Sequence, residues 1–154
     1  MAVQRATAAH EAVGAGSALW EQLSDGLQAM TLLQSFDPRL AGALAGGIAD
    51  AHLPIVLHVR AGHADEVARV LIEHGIPARM RETRLRFPRA AAQPLPGVSF
   101  LAGEQEILIW IFTEAQFRQR LRIGDESVAS RRLARGAVEA WLASLTALSG
   151  TRAG

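Results

Sequence analysis

Apolar positions recur along this chain with two different periods, and the switches between them mark out its elements. Trp20, Leu23, Leu27 and Met30 follow one another at steps of three and four. That spacing lines one face of a helix and predicts an amphipathic helix over about residues 18–34, with Ser17 as its N-cap. Phe36-Asp37-Pro38 ends it. Leu40, Ala41, Ala43 and Leu44 bracket Gly42, which reads as a strand or buried segment entering a glycine-rich turn that continues to Gly46 and Gly47. Ile55-Val56-Leu57-His58-Val59 is β-branched and apolar and predicts a mostly buried strand. Pro54 stands at its start, because proline donates no ladder hydrogen bond. Asp65 and Glu66 open a helix that carries Val67, Val70 and Leu71 and stops at Gly75. A second strand is expected from about Ala78 to Phe87.

The second half of the chain is more polar. Arg79, Arg81, Arg84, Arg86 and Arg89 crowd the strand at 78–87, and their spacing puts arginine on both faces, which a buried central strand would not carry. Residues 88–97, PRAAAQPLPG, read as a proline-rich loop. Val98 to Ala102 predicts a short strand, and Glu106 to Phe112 a strong central one that pairs with it as a hairpin through Gly103-Glu104-Gln105. Thr113 to Arg122 is polar, and residues 126–148 form a last helix with Val138, Trp141, Leu142, Leu145 and Leu148 as its stripe. The expectation is an α+β fold, a mixed β-sheet of about four to five strands with helices packed on it. Residues 1–16 are a loose arm, 17–149 a single domain and 150–154 a frayed tail.

Composition narrows the function classes. At 154 residues and 49% hydrophobic, the chain can bury a core of its own. A net charge of +1 gives no broad field for nucleic acid or membrane. All sixteen basic residues are arginine, which with the abundant alanine and glycine points to GC-rich bacterial coding rather than to a task. With no cysteine, thiol and disulfide chemistry are excluded. No stretch approaches the roughly 18 unbroken apolar residues of a membrane span. The opening residues lack the order of a secretory leader, and a cytoplasmic location is expected.

The stretch from Arg39 to Val59, RLAGALAGGIADAHLPIVLHV, resembles the small single-domain members of the nucleotidyltransferase-like superfamily. Gly42 falls on the first glycine of that family's turn, Ala43 where a second glycine or serine is expected, and Gly47 on a further glycine before the strand. The resemblance implies a turn backbone that holds nucleotide phosphate, and two strand carboxylates one residue apart that share a face and hold Mg²⁺. Those two positions fall here on Pro54 and Val56. The third carboxylate, from a later strand, falls on Leu108, with Glu106 two residues away on the same face. None of the three aligned residues can bind a cation. The resemblance therefore implies the fold without the reaction: a degenerate nucleotidyltransferase-like protein, with no catalytic residue, that acts by binding a small phosphorylated ligand or a partner protein.

Two alternatives stand beside it. One is an active Mg²⁺-dependent enzyme with relocated ligands such as Asp50, Glu104 or Glu106. The other is a ferredoxin-like module for a small ligand or for dimerisation, and a homo-oligomer is compatible with it. Gly42, Gly46 and Gly47 would cradle phosphate through backbone N–H groups, which needs no side chain. His58 shares a strand face with Pro54 and Val56 and would point into the same cleft. Its spacing to His52 and His63 fits no strong metal pattern, so no metal or cofactor is expected. The arginines at 79–89 and 118–135 suggest an anion-binding surface, although Glu82, Glu104, Glu106, Glu114, Asp125 and Glu126 are interspersed. No aromatic residues interleave them as in a single-strand nucleic-acid binder.

Overall fold

The computed structural model describes residues 14–87, 90–118, 122–123 and 131–153. The chain opens with helix α1 (Gly14–Leu32), a 3-10 turn (Gln34–Phe36), strand β1 (Arg39–Ala41) and the four-residue helix α2 (Gly42–Ala45). Strand β2 (Ile55–Arg60), helix α3 (Ala64–Glu73) and strands β3 (Arg79–Phe87), β4 (Ala90–Ala102) and β5 (Gln105–Phe112) follow. A short helix α4 (Glu114–Arg118), two-residue strands β6 (Arg122–Ile123) and β7 (Leu133–Ala134), and helix α5 (Arg135–Ala153) complete it. The fold is α+β. Its mixed sheet runs in the order β6-β3-β4-β5-β2-β1-β7, so the four to five strands read from sequence gain two short outer ones. Only β2 and β5 are parallel; every other pair is antiparallel. Strand β4 passes into β5 with no helix between them, where the βαββαβ order of a ferredoxin-like sandwich places its second helix.

Period-2 burial explains the two sides of the sheet. Ile55, Leu57 and Val59 of β2 and Ile107, Ile109 and Ile111 of β5 pack with Leu23, Met30, Leu33, Val67, Leu71 and Val138, so α1, α3 and α5 cover one face. The other face holds a smaller cluster of Leu95, Leu108, Trp110 and Phe112, joined by Val56 and by Phe117 of α4. Both faces of β5 are therefore buried, as a central strand requires. At α3, the Glu66 carboxylate reaches back to the N–H groups of Gly62 and His63 at 3.1 and 3.0 Å, closing the helix start. Gly75, at φ +73°, closes its end.

Several element bounds differ from those expected. The loop read over 88–97 is strand from Ala90 onward; residues 88 and 89 lie outside the described set. Pro94 and Pro96 pair with Arg84 and Glu82 of β3, but β5 pairs with β4 only from Gly97 on. Alternate prolines put both missing N–H groups on that unpaired side, where a strand tolerates them. The polar stretch after Thr113 contains α4. The last helix starts at Arg135 and runs to Ala153, past the tail expected to fray, while residues 124–130 and 154 lie outside the described set. Likewise α1 begins at Gly14, inside the arm expected to be loose, of which residues 1–13 lie outside the described set.

Candidate functional site

The sheet face opposite the long helices carries two rows of side chains fixed by strand register. Ala41, Val56, Leu108, Ser99 and Arg79 form one row across β1, β2, β5, β4 and β3. Arg39, His58, Trp110, Gly97 and Arg81 form the next. The first row lies at the glycine-turn end of β1 and β2. The second leads toward Arg60 and Phe112, where α4 packs.

The glycine-turn end gathers most of the positions singled out from sequence. Val56 and Leu108 are direct register partners. Gly42 adopts φ +68°, and a Cβ there would lie 3.0 Å from the Val56 side chain, so the turn rests on this valine. The N–H groups of Gly46, Gly47 and Ile48 donate to the carbonyls of Ala43, Leu44 and Ala43 at 2.9–3.0 Å. They close α2 rather than face outward. Glu106 is paired with Arg81 at 2.8 Å. Asp50 accepts the His52 N–H at 2.8 Å and is tied through its backbone to Gln22 at 3.1 Å, while Glu104 sits in the β4–β5 turn. Among the described residues, no three His, Asp or Glu side chains stand close enough together to hold a metal ion. His52 and His63 are exposed, whereas His58 is buried.

The other end of this face is cationic. The guanidinium carbons of Arg132, Arg60 and Arg39 lie 4.2, 4.8 and 5.8 Å from the centre of the Phe117 ring. Arg132 also lies 4.9 Å from the Phe112 ring, which meets Phe117 edge-on at 6.0 Å and His58 at 4.8 Å. Asp37, held in a left-handed conformation at φ 51°, pairs with both Arg39 and Arg60. Glu114 pairs with Arg60 at 3.0 Å and with Arg118 at 3.3 Å. Arg132 has no carboxylate partner among the described residues. Its Nε–H donates to His58 Nδ1 at 2.8 Å and one Nη to the Phe117 carbonyl at 2.6 Å.

The protonation states follow from this geometry. A ring nitrogen that accepts from an arginine carries no proton, so His58 is neutral and its proton sits on Nε2. That Nε2–H is buried with no acceptor among the described residues. Burial, and then the Arg132 charge, hold the His58 pKa down to about 3. The Arg132 pKa is also lowered, first by burial and then by the charges of Arg39 and Arg60. Donors and positive charge therefore exceed acceptors and negative charge here.

The two arginine runs meet at one edge of the sheet, where Arg86 of β3 is the register partner of Arg122 of β6, and the cationic cluster around Phe117 lies elsewhere. Arg79 and Arg81 lie on β3, three strands away from β1. Arg132 instead joins Arg39 and Arg60, which the sequence does not mark because each stands alone among apolar neighbours. Arg60 closing an apolar strand opposite Phe112 is the one local signal. A cleft of about 500 Å³ opens beside Arg39, with Asp37, Arg135 and Gly136 among its walls. A second, of about 300 Å³, lies over Gly46 and Gly47 beside Arg131 and Trp141. Comparison with protein-family models, with curated proteins and with solved structures finds no match in any of the three.

Proposed function

We propose that the protein is a nucleotidyltransferase-like binding protein without transfer activity, acting on a small phosphorylated ligand or a partner protein. One observation carries the reading. Where the resembling family needs carboxylates, this chain has Pro54, Val56 and Leu108, and the glycine turn packs directly on Val56. Two-metal phosphoryl transfer needs several oxygen ligands around the ions, and an apolar contact supplies none. Paired carboxylates without a cation would repel one another, so apolar replacement lets this end close. The glycine turn at one end of two adjacent strands in a mixed sheet is compatible with the same ancestry. The shared architecture alone would not assign a function.

The test is calorimetric titration with ATP, GTP, CTP and UTP, with and without Mg²⁺, alongside an assay for pyrophosphate release in the presence of acceptor mixtures. The expected result is no pyrophosphate release, with any nucleotide binding independent of Mg²⁺. Mg²⁺-dependent binding with release of pyrophosphate would overturn the reading in favour of an enzyme with relocated ligands.

A further inference from the structure

We propose that the Arg39–Arg60–Arg132 cluster around Phe117 is a binding site for a phosphate-type dianion carried by a small molecule. The inference deepens the binding reading above and rests on it. It places the anion at the arginine end of the sheet face rather than at the glycine turn.

Three observations converge. The first is charge. Among the described residues, Arg39, Arg60, Arg118 and Arg132 are accompanied by two carboxylates, Asp37 and Glu114, and His58 is neutral. Four guanidiniums to two carboxylates leave an excess of two positive charges, the charge that a phosphate dianion would balance.

The second is the way Arg132 is held. His58 Nδ1 and the Phe117 carbonyl fix its Nε and one Nη from behind, and the rings of Phe112 and Phe117 flank it. Its second Nη makes no hydrogen bond among the described residues. A guanidinium held at two of its nitrogens, with its third still able to donate, is positioned for a charge-assisted hydrogen bond to an oxyanion. The unmet His58 Nε2–H adds a donor without an acceptor beside it.

The third is access. The side chains of Arg39 and Arg60 are 27% and 30% exposed, so both guanidiniums are reachable from solvent. At the glycine turn, by contrast, the N–H groups of Gly46, Gly47 and Ile48 are already engaged. Glu114 and Asp37 would remain as rim acceptors that order Arg60 and limit affinity for monoanions.

The probe is inorganic pyrophosphate, titrated calorimetrically at low salt into the full chain, with ATP and adenosine as parallel arms. Pyrophosphate is expected to bind saturably, one per chain, and more weakly as salt rises. Arg132→Gln and Arg60→Gln are each expected to weaken it about tenfold or more, the loss for one charge-assisted contact. Arg79→Gln, on β3 toward the opposite edge of the same sheet face, is expected to change it less than about twofold. Adenosine should not bind. ATP much tighter than pyrophosphate, and equally dependent on Arg132, identifies a nucleoside polyphosphate; ATP no tighter identifies a free phosphate-type anion. Absence of saturable binding overturns the proposal. So does equal weakening by Arg79→Gln and Arg132→Gln, which would mark general attraction, or no effect of Arg132→Gln. Circular dichroism checks that each variant folds. Should Arg132→Gln fail to fold, Arg60→Gln and the shift of the Arg132 Nε–H resonance in the unmodified protein carry the test. These outcomes turn on arginine dependence. Those of the transfer assay turn on Mg²⁺ and product, so one reading can fail without the other.

Discussion

The two ends of one sheet face have opposite characters. At the glycine-turn end, Val56 and Leu108 are paired, Gly42 rests on Val56, and the turn N–H groups satisfy their own carbonyls. A few residues away on the same strands, three guanidiniums crowd one phenylalanine ring, and a buried histidine holds a proton that meets no acceptor among the described residues. The difference lies in what each set of groups needs from outside. An apolar, internally bonded end is complete without a ligand. A cationic end with surplus donors gains from an anion, because unneutralised charge in a partly dry setting is costly.

The largest effect is expected where the two ends meet. Gly97 lies under Trp110, and a Cβ there would fall 2.5 Å from Trp110 Cζ3 and 2.9 Å from the Ile109 carbonyl. Gly97→Ala should cost about 3 kcal/mol by overpacking, read as a lowered urea midpoint with an unchanged slope. If instead the cost is negligible, Trp110 is not seated on β4 and the ordering of this face is wrong.

A separate test addresses the closed end. Gly42→Ala combines a left-handed backbone with a 3.0 Å contact to Val56 and should cost about 1–3 kcal/mol. Pairing it with Val56→Ala removes the Cγ2 contact but keeps the Cβ contact, so it should recover part of the steric cost and leave the backbone part, a coupling visible in a double-mutant cycle. A fully additive cycle would mean that the turn does not rest on Val56.

The cationic end predicts a pH dependence. The folded pKa of His58, about 3, is below its unfolded value near 6.5. Between those values the unfolded chain binds a proton that the folded one refuses. Its contribution is therefore fully present above about pH 6.5 and is lost as pH falls toward 3, by up to about 1.4 kcal/mol per pH unit. His58→Gln should flatten the stability profile over that window, and the imidazole resonances of His58 should stay those of a neutral ring down to pH 5. Titration near 6.5 would contradict the buried Arg132–His58 pair.

The smallest effect belongs to Glu106. Its ion pair with Arg81 is well exposed, with side-chain exposures of 39% and 37%. Glu106→Gln should shift stability by less than about 1 kcal/mol and leave any ligand binding unchanged. Loss of binding in this variant would return weight to the glycine-turn end.

Much of the fold was legible, because hydrophobic period is a local property. The buried strand at Ile55, the central strand ending at Phe112, the hairpin through Gly103 and the helix opened by Glu66 all follow from spacings within a dozen residues. The proline-rich 90–96 segment was not, because whether a proline breaks a strand depends on which neighbour lies on its N–H side, and that is decided by where β5 ends. Gly97 reads as a turn residue until Trp110 is placed above it. The cationic end was legible only in part. Arg132 belongs to an arginine run visible in the sequence, but its partner His58 is 74 positions away, and Phe117 is one phenylalanine in a polar stretch. Local patterning marks where chains turn and bury; it carries no signal for which distant charges a sheet will bring together.

The most direct test is a residue-resolved NMR titration of the protein with ATP, with and without Mg²⁺. The account predicts that shifts gather at Arg39, Arg60, Arg132, His58 and Phe117 and are the same in both conditions. Shifts that instead gather at Gly42, Gly46, Gly47 and Glu106, and only when Mg²⁺ is added, would contradict it.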